Sequence, residues 1–187
     1  MPPGEVLRTR PFTPDEYHRL VDAGVLREDE HVELLEGNIV PMSPQSEAHM
    51  RVIVRLNRIL TRSLGDDYHI RPQGPLTLGD SEPEPDIAVV RAEDAVSTEV
   101  HPARALLVVE CSGDSLGYDG TVKARIYARA AIPEYWIVDV EGRCVEIRRD
   151  PETATALYAS LTTVGVEGTL APISLPALTM AVASPFE

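Results

Sequence analysis

An aspartate and a glutamate set inside two strand-like apolar runs, followed by the chain's single lysine, are the residues best placed to do chemistry. Asp86 opens the run Asp86-Ile87-Ala88-Val89-Val90, and Glu110 lies near the end of the run from Ala105 to Cys111, 24 residues further on. Carboxylates seldom sit among apolar residues unless they are paired, hydrogen-bonded or bound to a cation, because two such charges raise each other's pKa and weaken the site. A divalent ion resolves that conflict. Either acid alone could simply cap its strand against solvent. Lys123 adds weight to the chemical reading, since it is the only lysine among 17 basic residues, and an ammonium can be a compact point charge or lose its proton where arginine cannot.

Two other constellations fail on chain order and composition. Gly113-Asp114-Ser115-Leu116-Gly117 satisfies the G-x-S-x-G nucleophile elbow and the Gly-Asp-Ser-Leu esterase signature, yet all five histidines, His18, His31, His49, His69 and His101, precede Ser115. Those hydrolases place their histidine after the serine, so Ser115 reads as a turn residue. His31-Val32-Glu33 has the H-x-E of zinc deaminases but lacks their P-C-x-x-C pair.

The elements that must position Asp86, Glu110 and Lys123 follow from periodicity. Thr13-Pro14-Asp15-Glu16 is a capping box with proline at the first helical position, and it starts a helix that should stop at Gly24. Val32 to Met42 forms a hairpin about Glu36-Gly37-Asn38, with Gly37 or Asn38 at a positive φ and Glu33 in the first strand. Ile53, Leu56, Leu60 and Leu64 recur at helical spacing across residues 46 to 64, the longest helix. Residues 68 to 78 read as extended, and the runs beginning at Asp86 and Ala105 as central strands covered on both faces. A helix from Asp119 to Ala131 should turn Val122, Ile126 and Ala130 to the core, leaving Lys123 and Tyr127 at the edge of that stripe. A long side chain there can reach back to the carboxylates. Glu134 to Val140 and Arg143 to Arg148 make a hairpin about Glu141-Gly142, and weaker β-like segments fill the tail. The sum is an α/β fold with a mixed sheet flanked by helices.

Composition bounds the setting. The 187 residues suit one domain, 1–187, with residues 1–12 as an N-terminal arm. No apolar stretch approaches the ~20 residues of a membrane helix, and the N-terminus has no apolar leader region, so a cytoplasmic location is expected. Cys111 and Cys144 make neither a disulfide framework nor a thiolate metal site, and should be reduced and packed in strands. A formal charge of −13 excludes a protein that coats nucleic acid by bulk charge, but a local basic stripe can reverse the sign. Arg51, Arg55, Arg58 and Arg62 recur along one face of the 46–64 helix and offer such a stripe, with a merely solvated outer face as the other reading.

Pro85-Asp86, then Glu110, then a lysine resembles the PD-(D/E)xK nuclease superfamily, in which an Asp and a Glu on a short sheet bind Mg²⁺ while a Lys attends the attacking water. The position two after Glu110 is Ser112, so the lysine would be Lys123, moved to the following helix. That variation is similar to the Uma-type family of restriction-endonuclease-like proteins, which also shows a V-E-L-L-x-G-x-I-x-x-M-S-P hairpin, a histidine shortly after, and a Y-A-x-x-x-I-x-E-Y-W-x-V-D block. Here these are Val32 to Pro44, His49, and Tyr127 to Asp139, and the resemblance covers about residues 13 to 150.

The resemblance implies a restriction-endonuclease-like core and a Mg²⁺- or Mn²⁺-dependent endonuclease acting on DNA. Its metal ligands would be Asp86, Glu110 and the Cys111 backbone carbonyl, with Lys123 orienting water and Glu33 as a third acid ligand or water positioner. Oxygen-only donors of this kind suit Mg²⁺ or Mn²⁺. General acid or base help supplies only ~3–5 kcal/mol of the ~8–23 kcal/mol by which enzymes lower barriers, so Lys123 needs the metal beside it. His49 joins the arginine stripe as a candidate nucleic-acid contact. Cutting both strands of a duplex takes two sites, and a homodimer through Tyr135, Trp136, Ile137, Val138 and the tail from Ile173 to Val182 is expected, unless those residues close the core of one chain. The alternative is a non-catalytic binding or regulatory module that keeps the nuclease fold.

Overall fold

Apolar runs without polar alternation must be covered on both faces, and that requirement organises the sheet. The computed structural model describes residues 9–27, 29–95, 101–112 and 119–187. Helix α1 (Pro14–Asp22) leads to a separate hairpin, β1 (Val32–Leu35) and β2 (Asn38–Pro41), and then to helix α2 (Glu47–Ser63). Six strands make the main sheet: β3 (Tyr68–Pro72), β4 (Ile87–Arg91), β5 (Leu107–Ser112), β6 (Glu134–Asp139), β7 (Cys144–Glu152) and β8 (Leu157–Val164). They lie in that order, with β5 and β6 parallel and every other neighbouring pair antiparallel. Between β5 and β6 a π-helical turn (Asp119–Lys123) runs into helix α3 (Ala124–Arg129). The short pair β9 (Thr169–Leu170) and β10 (Met180–Ala181) follows the sheet.

Alternate residues of the central strands divide between two cores. Ile87, Val89, Leu107, Val109, Trp136 and Val138 pack with Val52, Ile53, Leu56 and Leu60 of α2. Ala88, Val90, Val108, Tyr135 and Ile137 pack with Ala124, Ile126 and Tyr127 on the α3 side. The expected dimer surface is therefore interior: Tyr135, Trp136, Ile137 and Val138 are at most 2% exposed because β6 lies between β5 and β7 with both faces covered. From the tail, Leu175, Leu178, Met180 and Val182 close the α2-side core, and Ile173 is the large hydrophobic of that segment left exposed.

The capping box stands as read, with the Glu16 amide donating to Thr13 Oγ1 at 3.3 Å and the Thr13 amide to Glu16 Oε2 at 3.1 Å. At the first hairpin the positive-φ positions are Glu36 and Gly37, not Asn38. Two such residues make a turn whose twist matches the strands, and a Cβ on Gly37 would collide with Pro11. The extended segment after residue 68 is strand only to Pro72, and β5 begins at Leu107. Cys111 and Cys144 are free thiols on β5 and β7. The Gly113 to Gly117 motif lies outside the described residues. Among those described, no helix is long and apolar enough to cross a membrane.

Candidate functional site

The pairing of β4 with β5 brings the two acids together. Ile87 faces Val109, so Asp86 comes beside Glu110, and the Asp86 amide donates to Glu110 Oε2 at 3.3 Å. Strand parity puts Asp86 on the side of Ala88 and Glu110 on the side of Val108, the face that α3 covers. Both are nearly buried. Each is held by donors: Asp86 Oδ2 accepts from the Cys111 amide at 2.7 Å and lies 3.0 Å from His49 Nε2, while Asp86 Oδ1 accepts from Gln45 Nε2 at 3.3 Å. Gln73 Nε2 donates to Gln45 Oε1 at 2.9 Å and fixes that amide in turn.

Lys123 is buried rather than at the margin of an apolar stripe. Its Nζ lies 3.0 Å from Glu110 Oε1 and 3.2 Å from Glu33 Oε2, joining β5 to the first hairpin. The π-helical turn explains the difference. A turn with one extra residue advances the helical phase, so Lys123 and Tyr127 point at the sheet while Val122 and Ala130 are only half-buried. The fully buried Tyr127 hydroxyl donates to Glu110 Oε1 at 2.8 Å, and burial together with the Glu110 charge pushes its pKa well up, keeping the proton on the phenol.

A cleft of about 430 Å³ opens onto this group, lined by Glu33, Glu84, Asp86, Glu110, Lys123 and His49 among others. Glu84 escaped the sequence reading. Its amide donates to Glu33 Oε2 at 3.2 Å, and burial, then the nearby Glu33 charge, raise its carboxyl pKa. With the exposed Glu141, five carboxylates and one ammonium line the cleft among the described residues. That excess of negative oxygen donors, with Cys111 packed into the α2-side core, fits a hard divalent cation such as Mg²⁺ or Mn²⁺.

Of the residues singled out from sequence, Glu33, Asp86, Glu110, Lys123 and His49 meet in this cleft, and the Cys111 amide touches Asp86. Arg51, Arg58 and Arg62 stand exposed on α2, with Arg55 half-buried, and among the described residues none of the four has a hydrogen-bond or salt-bridge partner. Missed besides Glu84 were Tyr127, Gln45 and Gln73. Tyr127 alone carried a signal, because a buried tyrosine hydroxyl needs a partner.

Glu36, at the turn of the first hairpin, is paired across the fold. It accepts from Arg125 Nε at 2.9 Å and from Arg129 Nη2 at 3.2 Å, tying the hairpin that carries Glu33 to α3. The Arg125 hydrogen bond holds the Glu36 carboxyl below its usual pKa. A lowered carboxyl pKa stabilises the fold above the unfolded value and loses that contribution as pH falls through the folded one. Screening at these half-exposed arginines limits the pair to on the order of 1 kcal/mol. Glu36→Gln should lower Tm by roughly 2–4 °C at neutral pH, with the gap to wild type closing below about pH 4. Calorimetry across pH checks this, and a gap that persists in acid would remove the ion pair as its cause.

A mixed sheet with two acids at the paired ends of central strands and a lysine leading into the covering helix defines a restriction-endonuclease-like α/β protein. Residues 14–183 match the Uma2 family, whose description is "Putative restriction endonuclease", and the chain belongs to that family. The crystal structure of a putative nuclease belonging to DUF820 from Anabaena variabilis ATCC 29413 has the same fold, with a TM-score of 0.77 at 15% identity. The match covers 94% of this chain and 98% of that one. Among curated proteins nothing matches.

Proposed function

We propose that this protein is a divalent-metal-dependent endonuclease that hydrolyses DNA phosphodiester bonds. The observation that carries the proposal is the convergence of Glu33, Glu84, Asp86 and Glu110 on one cleft that a single ammonium enters. Asp86 and Glu110 would hold Mg²⁺ or Mn²⁺, with the Cys111 carbonyl as a third oxygen beside the amide that already anchors Asp86. Bound there, the ion supplies Lewis-acid polarisation of a phosphoryl oxygen and a more acidic water. Lys123 orients the attacking water and offers positive charge to the phosphate, and Glu33, 3.2 Å from its Nζ, keeps the ammonium aimed into the cleft. Tyr127 fixes the Glu110 carboxylate from beneath. Supercoiled and linear DNA incubated with Mg²⁺, Mn²⁺ or chelator tests the proposal. Cleavage that chelator abolishes supports it, and DNA left intact with both metals points to a binding module.

Access for an anionic polymer comes along α2. Ala48 and Val140 line both the cleft and a neighbouring groove that Arg51, Arg55 and Arg143 also line, so the arginine row begins at the cleft mouth. Arg51→Ala with Arg58→Ala should reduce the slope of log K against log[salt] for DNA binding by about 2, as expected when two phosphate contacts are lost. Fluorescence anisotropy over a salt series reads it. An unchanged slope assigns the row to solvent.

The homodimer proposal now rests on stoichiometry, one site per chain against two strands of a duplex. Its surface would include Leu157 and Leu161, exposed on the edge strand β8, in place of the buried β6 residues.

A further inference from the structure

Away from the catalytic cleft, three residues remote in sequence bring ligand-type atoms to one point. His18 on α1, Glu82 on the segment leading to Asp86, and His101 before β5 present ring nitrogens and a carboxylate oxygen that all lie within 4.8 Å of one another. His18 Nε2 is 2.6 Å from Glu82 Oε2. Glu82 is 2% exposed, and its other oxygen accepts from Thr77 Oγ1 at 2.7 Å. The Glu82 amide donates to the Leu34 carbonyl, and the Thr77 amide to the Pro102 carbonyl, so backbone bonds fix the carboxylate and the neighbour of His101. Among the described residues neither ring nitrogen of His101 has a hydrogen-bond partner, although the ring stands edge-on to His18 with centroids 6.0 Å apart.

A simple His18–Glu82 ion pair needs neither the second imidazole nor the hydroxyl that orients the carboxylate. We propose that His18, Glu82 and His101 bind a divalent transition-metal ion, Zn²⁺ in the first place, at a second site separate from the acidic cleft. Two imidazoles and one carboxylate are a borderline-soft donor set that selects zinc over magnesium, and Thr77 is the outer partner that such carboxylate ligands use. Zinc ligands at ~2.0–2.2 Å would stand about 3.3 Å apart around a tetrahedral ion, a separation His18 and Glu82 reach by moving less than 1 Å. The fourth position opens on a hollow of about 590 Å³ beside α1, lined by Tyr17, Met42 and Glu84 as well as the three ligands. Met42 and Glu84 also line the catalytic cleft. The ion would clamp α1 to the Glu82–Asp86 segment that sets the position of Asp86. None of this depends on the protein cutting DNA.

The test is a Zn²⁺ titration of the full chain in excess Mg²⁺, by calorimetry and thermal melting, with Co²⁺ absorption to report nitrogen ligands. We expect one equivalent bound, a Tm rise of roughly 5–10 °C at about a hundredfold excess over Kd, and a visible Co²⁺ band. His18→Ala, His18→Gln and His101→Ala should each weaken binding by more than about tenfold, and Thr77→Val by about tenfold. Asp86→Asn should leave zinc binding unchanged. His18 is half-exposed and its variants keep the helix, which circular dichroism verifies. Absence of binding, binding that survives both histidine-to-alanine changes, or binding lost only in Asp86→Asn would each overturn the proposal, the last by returning the ion to the catalytic cleft.

Discussion

Asp86→Asn and Glu110→Gln should each lower metal-dependent DNA cleavage by roughly 10³-fold or more, because each removes a charged oxygen donor while keeping the size of the side chain. The fold should survive. An amide oxygen at position 86 can still accept from the Cys111 amide, and one at position 110 can still accept from the Tyr127 hydroxyl. Single-turnover cleavage measures the loss, and Mn²⁺ titration by calorimetry shows whether it lies in metal binding. The two readouts separate two failures. Lost activity with wild-type Mn²⁺ affinity would make the carboxylates positioning groups, whereas unchanged activity would move the reaction elsewhere in the molecule.

Much of the scaffold was legible because its causes are local. The Thr13 box, the Glu36-Gly37 turn and the Ile53 to Leu64 periodicity each depend on residues a few positions apart, and each element stands where those residues place it. The Asp86–Glu110 pair was legible for a related reason. Acids interrupting two apolar strands of matching length have few registers in which both strands stay covered.

What escaped depends on contacts between distant segments. Glu36 reaches Arg125 across 89 residues, and no local rule announces that pairing. The phase of the third helix was misjudged because the π-helical turn alters the count of residues per turn, which a 3.6-residue template cannot register. The apolar run around Trp136 offers a surface to a partner only if the sheet is small, and six strands with helices on both faces absorb it. Glu84 lies between Pro83 and Pro85, where nothing nearby in sequence gives it a role. Only the hairpin carrying Glu33, folded against it, makes it part of the cleft.

Lys123→Arg separates the chemistry of the ammonium from its charge. The Lys123 side chain is 7% exposed, with its nitrogen between Glu110 and Glu33, and a planar guanidinium needs more room than that point contact gives. Arginine also keeps its proton, so any part Lys123 plays in moving one is lost. Cleavage should fall by roughly 10²–10⁴-fold, while DNA affinity stays within about twofold of wild type. Lys123→Met provides the complementary result. Without the ammonium, the buried Glu33 and Glu110 lose the cation that lies between them, and breaking a buried pair from one side costs on the order of 3 kcal/mol. The metal-free variant should therefore melt several degrees below wild type, and Mn²⁺ should recover most of the difference by taking over the neutralisation. Calorimetric melting with and without Mn²⁺ reads that recovery, and rapid-quench cleavage reads the arginine variant. Full cleavage by Lys123→Arg would assign the lysine to holding two carboxylates together and leave orientation of the water to Glu33.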